Sequence, residues 1–376
     1  SARHSGRSDG PGRGRRVRRF RVAGRPGEGK DYRPSGRHRS GMVAMYVVMR
    51  EGLLVVTGDP GDWETTTRFD GQHVECVEVS PHDPDRVFVG TFGDGLYRSD
   101  DGGETFERIA EGAAETEQYT AVAVSPHDPD VVWAGIEPSR LYLSEDGGDT
   151  WEARPGLVDL PSADDWWFPP RPDSHRVRSI EVSHDDPDRV YAGIELGAFV
   201  VSTDRGETWS EDVPGARVDA HQIVTHPDDV DRMYVAAGHG YAESHDGGRS
   251  WSQPDDLLPE ESHHLWSVAP DPGDPDTILT STSEDAFTAH FDEADATIHR
   301  YQGDGAWEAL DDRGIPTGEG VRAAVLAPGR EAGEFYAVNN YGIYRTGDAG
   351  DAWTRLDVDW PTKFETQDPR GFAVVL

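Results

Sequence analysis

Eleven side chains, scattered along the chain, could form one binding site if the fold brings them together. Each stands at the start of one apolar run or after the end of the next, at positions that vary between otherwise similar segments. Six are aromatic or cationic, and such groups, together with asparagine, suit an anion or a sugar. The alternative is that these positions line a wet opening, where single polar residues are expected in any case. The set comprises Glu75, Tyr119, Glu137, Arg178, Glu195, His221, His239, Trp266, Arg322, Asn339 and Asn340.

A second group of candidate residues lies in one insertion, residues 164–176. Three consecutive aromatic residues followed by Pro-Pro-Arg-Pro predict a stiff loop that folds over the same opening. Its tryptophans could stack on a sugar ring while its arginines meet a carboxylate. The alternative is a hydrophobic lid that plugs the opening. The residues concerned are Trp166, Trp167, Phe168, Arg171, His175 and Arg176.

Paired acids such as Asp83 and Asp85 recur in several turns and suggest calcium. Calcium takes about six to eight oxygens from a closed loop, whereas a tight turn centred on proline offers only about two or three. We therefore expect no metal site and no cofactor. The single cysteine, Cys76, excludes a disulfide scaffold and a cysteine-clustered metal site, and its place in an apolar run predicts a small core residue.

Repeated short strands are the elements that would position these side chains. Residues 74–106, 119–151 and 177–209 share one pattern, which recurs with more drift in 219–251, 265–307 and 320–353. Each unit has an apolar run, a turn rich in Asp and Pro, a second β-branched run, a third run, a Gly-rich turn and a short run opened by an aromatic residue. This turn chemistry predicts four short strands per unit. A further insertion, residues 287–297, widens one later unit.

Four-stranded units that repeat at about 40 to 60 residues are typical of β-propeller blades. Seven closing aromatics mark seven units: Trp63, Phe106, Trp151, Trp209, Trp251, Trp307 and Trp353. The first unit lacks a first strand, and residues 371–376 form an unpaired first strand. Joined, they would complete one blade and remove the open sheet edges. We predict an all-β, seven-bladed β-propeller of four-stranded antiparallel blades over residues 42–376, closed by the C-terminal strand in the N-terminal blade.

The turn between the third and fourth strands carries the pattern Ser-x-Asp-x-Gly-x-Thr-Trp, as in residues 144–151 and 202–209. This pattern resembles the BNR or Asp-box repeat of sialidases, sortilin-like receptors, xyloglucanases and photosystem II assembly factors. In those families the boxes lie on the rim, away from the ligand, so the resemblance implies a structural role here. The aspartates that would accept backbone N–H groups across the turn are Asp101, Asp146, Asp204 and Asp246.

The resemblance leaves two functions open. A sialidase-like glycoside hydrolase would need three arginines, a Tyr/Glu pair and an acidic residue. Arg178 and Arg322 supply two arginines, but no Tyr/Glu pair is evident, and residues 313–316 match the expected Arg-Ile-Pro motif only with an inserted Gly. Glycosidase carboxyl groups stand about 5 Å or about 6.5 to 9.5 Å apart; we expect no such pair beside an arginine cluster here. The leading interpretation is therefore a binding or scaffold module with its site at the channel face.

The charge of the chain narrows the class of partner. Residues 1–41 hold 13 basic and 3 acidic side chains, which leaves 23 basic and 68 acidic ones for residues 42–376. This acidity disfavours nucleic acid as a partner because phosphates are repelled. The apolar runs are too short to predict a membrane span. We expect a monomer that binds a small ligand, a sugar or an anion, or else a protein partner.

The first 41 residues have a different composition, rich in Arg, Gly, Ser and Pro, and are predicted to be disordered. Their paired arginines are not followed by the apolar run of an export signal. Met42 or Met45 would be a natural start, and on that basis we expect a cytoplasmic protein.

Arginine in place of lysine, with abundant carboxylates, is typical of proteins from extreme halophiles. At molar salt the Debye length falls to about 3 Å, so repulsion among the carboxylates is screened. We predict that the thermal unfolding midpoint rises steeply between dilute buffer and about 2 M KCl. A melting series by circular dichroism measures this, and a flat response to salt would contradict the halophile interpretation.

Overall fold

The computed structural model describes residues 43–168, 171, 173–254, 258–291, 293–303 and 306–376, and the basic segment predicted to be disordered lies outside them. The described residues belong to one compact unit, 36–376. Strands are numbered in chain order, β1 to β27, and fall into seven antiparallel sheets, the blades.

The chain begins in blade 1 and then builds the following blades in order. Blade 1 contains β1 (Val43–Met49), β2 (Gly52–Asp59) and β3 (Asp62–Arg68). Blade 2 contains β4 (Val74–Val79), β5 (Val87–Thr91), β6 (Leu96–Ser99) and β7 (Glu107–Ile109). Blade 3 contains β8 (Tyr119–Val124), β9 (Val132–Ile136), β10 (Leu141–Ser144) and β11 (Glu152–Arg154). Blade 4 contains β12 (Val177–Val182), β13 (Val190–Ile194) and β14 (Phe199–Ser202).

The remaining blades follow the same plan. Blade 5 contains β15 (Ala220–His226), β16 (Asp229–Ala237) and β17 (Gly240–Ser244). Blade 6 contains β18 (His264–Asp271), β19 (Asp274–Ser283), β20 (Asp295–Tyr301), β21 (Trp307–Ala309) and β22 (Gly318–Glu319). Blade 7 contains β23 (Val325–Pro328), β24 (Phe335–Asn339), β25 (Gly342–Thr346) and β26 (Thr354–Arg355). The last strand, β27 (Pro369–Val375), returns to blade 1.

The C-terminal strand closes the ring, as predicted. β27 pairs antiparallel with β1 in the order β27-β1-β2-β3, and Met45 lies opposite Val374. The innermost strand of every blade contacts the innermost strands on both sides, so that β27, β4, β8, β12, β15, β18 and β23 surround a central channel. The predicted all-β, seven-bladed propeller is therefore confirmed.

The blades depart from the ideal pattern in three places. In blades 4 and 5 the fourth strand is reduced to single bridges, Val201 with Ser210 and Glu243 with Ser252. In blade 6 the predicted insertion includes a short helix, α1 (Ala286–His290), which begins with a capping box between Asp285 and Thr288. Short 3-10 turns span Leu157–Asp159, Ala163–Asp165, Glu260–Ser262 and Thr362–Thr366. None of the described helices is long or apolar enough to cross a membrane.

The Asp boxes close their turns by hydrogen bonds within the turn. In the first box, Asp101 accepts the backbone N–H of Thr105 at 2.8 Å and its hydroxyl at 2.6 Å, and Gly103, at a φ of 84°, donates its N–H to Ser99 at 2.9 Å. A positive φ favours glycine at this place. The equivalent aspartates Asp146, Asp204 and Asp246 make the same bonds. The acids of the other turns behave likewise, since Asp83 accepts the N–H of Asp85 at 3.1 Å.

Packing between neighbouring blades forms the core. Cys76 is buried at 8 % exposure between blades 2 and 3, as predicted for a small core residue. The closing aromatics also pack inward, and Trp151 donates its indole N–H to Gly148 of its own box. The strands are thus held by turns that the local sequence closes and by apolar faces that only adjacent blades can cover.

Closure by β27 should control the stability of the whole ring. Val374 packs against the core shared by blade 1 and blade 7, so Val374→Asp is expected to lower the free energy of unfolding by about 2 to 4 kcal/mol. Urea denaturation followed by tryptophan fluorescence measures this. The matched control is Thr66→Asp on the exposed outer strand β3, which should change stability by less than about 0.5 kcal/mol. Equal effects of the two substitutions would contradict the closing role of β27.

Candidate functional site

A β-bulge near the start of the innermost strand aims one side chain toward the channel in six blades. The register of each strand pair shifts by one residue at this place. A bulge leaves one residue unpaired and redirects its side chain. The bulged residues are Glu75, Thr120, Arg178, His221, Trp266 and Arg370. In blade 7, Arg322 lies three residues before the first residue of the innermost strand, Val325.

This arrangement corrects the predicted set at two positions. Thr120, not Tyr119, occupies the bulge of blade 3, and its hydroxyl donates to the carbonyl of Val177 at 2.7 Å. The hydroxyl of Tyr119 points to the carbonyl of Ala110, and both residues are 1 % exposed. Arg370 was missed because its strand stands alone at the end of the chain. A small or short side chain, such as Cys76 or Gly371, follows several of the bulges, and this was the signal in the sequence that would have found both positions.

Buried ion pairs connect the bulge residues across this end of the channel, which we call the mouth. Glu75 accepts from Arg370 at 2.6 Å and from Arg176 at 3.3 Å, and Arg176 also donates to Glu195 at 2.5 Å. Burial alone would raise the pKa of Glu75, but Arg370, His73 and Arg176 hold it well below its usual range. The pKa of Glu195 is also lowered against its burial, chiefly by Arg176. Both carboxylates are therefore charged and engaged.

Arg178 is the exception among the mouth arginines. Its guanidinium lies 4.5 Å over the Trp266 ring and donates to the carbonyl of Arg370 at 3.3 Å. Across the part of the chain that the structure describes, no carboxylate lies within ion-pair distance of Arg178. Burial, and then the charge of Arg176, lower the pKa of Arg178 to about 10. The guanidinium therefore stays cationic at neutral pH without a carboxylate in direct contact, although the charges of Glu195 and Glu75 act on it from farther away.

The arginines of the predicted lid loop pair with carboxylates elsewhere in the protein. Arg171 binds Glu137 through two hydrogen bonds of 2.5 and 2.7 Å, and Glu137 is 1 % exposed. Phe168 packs against the guanidinium groups of Arg171 and Arg176, at 4.8 and 4.1 Å. The arginines thus meet carboxylates of the protein itself. Pro169, Pro170 and Pro172, on which the predicted stiffness depends, lie outside the described residues.

The aromatic residues of this loop divide between core and solvent. Trp166 is 6 % exposed, donates its indole N–H to Ser162 at 2.8 Å and packs edge-on against His175. Trp167 is 45 % exposed. Of the two tryptophans predicted to stack on a ligand, only Trp167 is accessible to one.

Three histidines surround Trp266 without forming a metal site. His221 and His290 contact the Trp266 ring at 5.1 and 4.1 Å, and His264 contacts both histidines. Burial lowers the pKa of His221 to about 4 and that of His264 to about 3, so these rings are neutral. In the described ranges no three His, Cys, Asp or Glu side chains are grouped as a metal ion would require.

Two other residues predicted to line the mouth, Asn339 and Asn340, form hydrogen bonds to the backbone instead. Asn340 accepts the N–H of Arg322 at 2.9 Å and donates to Gly320 and Glu365. Asn339 accepts the N–H of Tyr341 at 2.8 Å. Both asparagines are 1 % exposed. They fix the loop that follows β24.

Asp219 is a further acidic residue that the sequence did not single out. It precedes β15 with a φ of 61°, accepts the N–H of Leu196 at 2.7 Å and lies 3.7 Å from the exposed His239. Burial, and then the charge of Glu195, raise the pKa of Asp219 to about 7. A non-glycine residue in this backbone region is strained and persists only where its surroundings hold it.

The unpaired charge of Arg178 predicts opposite effects of two similar substitutions. Arg176→Gln leaves Glu75 and Glu195 short of a partner and should lower the free energy of unfolding by about 3 kcal/mol. Arg178→Gln removes a buried cation without a carboxylate and should leave stability unchanged or raise it. Urea denaturation of both variants tests this, and a larger loss for Arg178→Gln than for Arg176→Gln would contradict it.

Comparison with known proteins supports the repeat type and the fold. A family model described as BNR/Asp-box repeat matches residues 200–211, which include the box ending at Trp209. No curated protein sequence matches this chain.

Similar solved structures are propellers of low sequence identity. An ancestral GH74 enzyme is 15 % identical with a TM-score of 0.57, over 83 % of this chain but only 40 % of that enzyme. YCF48 bound to D1 peptide is 18 % identical with a TM-score of 0.54, over 77 % of this chain and 83 % of that one. YCF48 from Cyanidioschyzon merolae is 16 % identical with a TM-score of 0.51, over 77 % and 86 %. At such identities the likeness concerns the fold alone. The chain is a seven-bladed β-propeller in which one segment, residues 200–211, matches the BNR/Asp-box repeat.

Proposed function

We propose that this propeller is a binding module that docks a protein partner on the mouth face. The observation that carries the proposal is the distribution of exposed apolar side chains in the described residues. Of the six large ones, five lie in segments that connect strands on the mouth face, and Val230 alone lies at the opposite end. The five are Trp167, Val218, Phe287, Phe291 and Tyr341.

The phenylalanines are held outward by a fixed element. Phe287 and Phe291 belong to α1 and the residue that ends it; their rings are 5.3 Å apart, and they are 64 % and 47 % exposed. The inner side of the same helix is anchored, since Ala289 is buried and His290 packs on Trp266. Exposed aromatic residues on a rigid support are typical of protein interfaces.

The charge around the phenylalanines indicates what the partner carries. Glu284, Asp285, Glu293 and Asp295 are exposed on the segment 284–295, which contains no Lys or Arg. A segment with apolar side chains flanked by Arg or Lys would match this surface in both shape and charge. YCF48, a propeller of similar fold, has been solved with a D1 peptide, which supports the binding of a polypeptide segment by this architecture.

The glycoside hydrolase alternative is less well supported by the site. Glu75 and Glu195 flank Arg176, but both have lowered pKa values and so hold no proton to donate at neutral pH. Asp219, with its raised pKa, is the better candidate for an acid, yet it is 4 % exposed and its carboxylate is bonded to the backbone.

Selection of displayed peptides on the immobilised full chain tests the proposal. We expect enrichment of peptides with aromatic or aliphatic residues next to Arg or Lys. Binding of a synthetic enriched peptide, measured by fluorescence anisotropy, should weaken about 10- to 30-fold in the double variant Phe287→Ser, Phe291→Ser, because two apolar anchors are lost. Val230→Ser, at the opposite end, is the matched control and should bind like the wild type.

Thermal melts show whether the double variant is folded. Failure to enrich any peptide, or equal binding by the double variant and the wild type, would refute the docking surface. Release of sugar from oligosaccharides by the wild type, lost in Glu195→Gln, would instead favour the hydrolase.

A further inference from the structure

The central channel contains a cavity of about 330 Å³ below the mouth. Its wall includes residues from the innermost strand of every blade. The cavity reaches from Arg178, Trp266 and Arg370 at the mouth to Pro81 and His184 near the opposite end. This volume is in the range of sites that hold a small molecule.

The two ends of the cavity carry opposite chemistry. At the mouth, Arg178 has no carboxylate within ion-pair distance in the described residues, whereas the neighbouring Arg370 is paired with Glu75. Farther along the channel the wall carries two carboxyl groups, Glu78 and Glu181. Neither has an arginine or lysine within ion-pair distance in the described residues, and the nearest basic group is His184, 3.7 Å from Glu181.

The charge of Glu181 acts on Glu78, and Glu181 is itself hydrogen-bonded to the protein. Glu181 accepts the backbone N–H and the hydroxyl of Thr225, at 3.1 and 2.5 Å. Burial raises the pKa of Glu181 to about 7, and burial together with the charge of Glu181 raises the pKa of Glu78 to about 8. His184, whose pKa burial lowers, brings no positive charge to this end. A cation between the two glutamates would lower both pKa values and stabilise the ionised carboxylates.

The remaining polar groups of the wall are already used by the protein. Ser179 accepts the N–H of Ile223, Gln222 accepts that of Val268, and Ser267 accepts that of Leu326. Most other wall residues are small or apolar, such as Ala123 and Val325. The charged ends are therefore the groups that remain to recognise a ligand.

We propose that the channel binds a small aminocarboxylate, with its carboxylate at Arg178 and its ammonium group between Glu78 and Glu181. The ligand supplies at each end the counterion that the protein lacks, and its methylene chain lies along the apolar wall. Residues 178 and 181 are three positions apart on one strand, a rise of about 10 Å. An ω-amino acid with a chain of about five methylene groups has its charged ends at a separation that fits this span.

The proposal is tested by isothermal titration of the full chain with 6-aminohexanoate in about 1 M KCl, which screens surface charges. Hexanoate and hexylamine serve as probes that lack one charged end. We expect each to bind at least about tenfold more weakly than 6-aminohexanoate, because charge-assisted bonds at one end are lost. A length series with 4-aminobutyrate and 8-aminooctanoate should show the strongest binding at the intermediate length.

Matched variants assign the two ends of the ligand. Arg178→Gln should lower the affinity for 6-aminohexanoate by about tenfold or more and leave the affinity for hexylamine unchanged. The double variant Glu78→Gln, Glu181→Gln should also lower the affinity for 6-aminohexanoate, but it should leave the affinity for hexanoate unchanged. Thermal melts verify that these variants fold, and the double variant Phe287→Ser, Phe291→Ser should bind 6-aminohexanoate normally.

Each contrary outcome is decisive. No heat of binding with any aminocarboxylate overturns the proposal and leaves a water-filled channel. Equal binding of hexanoate and 6-aminohexanoate reduces the cavity to an anion site, and equal binding of hexylamine reduces it to a cation site. Peptide docking depends on α1 and not on the cavity, so the docking proposal and the aminocarboxylate proposal can be refuted independently.

Discussion

The pairing of the last strand with the first is the interaction on which the structure depends. A propeller blade cannot cover its own faces, so each sheet is stable only between two neighbours. β27 joins β1 across almost the whole length of the chain and completes blade 1, which then packs against both blade 2 and blade 7. Ring closure also directs seven innermost strands toward one axis. The mouth and the cavity exist only because that closure brings their residues together.

The innermost strands solve a further problem that closure creates. The edge of each strand that faces the channel has no neighbouring strand to pair with, and unpaired backbone groups are costly when buried. Side chains of one blade bond to the backbone of the next: Ser179 to Ile223, Gln222 to Val268, and His221 to the carbonyl of Leu265. Polar residues in the channel therefore hold the ring together, and their presence alone is not a sign of ligand binding.

The charged groups of the cavity wall that have no ion-pair partner differ from these structural polar residues. Most arginines of the mouth meet carboxylates of the protein, as Arg176 meets Glu75 and Glu195. Arg178 at one end of the cavity has no carboxylate within ion-pair distance in the described chain, and Glu78 and Glu181 at the other end have no arginine or lysine. A buried cation without an ion-pair partner lowers stability, so the retention of Arg178 is consistent with a functional role. The exposed apolar residues of α1 form a separate feature, since they surround the mouth from outside.

Sequence by itself determined the repeats, the count of seven blades, the closing strand and the box turns. These follow from local rules: side chains alternate along strands, proline and glycine set turn geometry, and a short aspartate loop closes on itself. Tertiary structure alone decided which charges are neutralised, because Arg176 and Glu75 are 101 residues apart and meet only in the closed ring. Tertiary structure also decided which residue occupies each bulge of the innermost strands, since Thr120 stands at the bulge of blade 3 in place of Tyr119. The sequence pattern shows which chemical groups are present. The distances between these groups and their burial arise from tertiary packing, and they decide what each group can bind.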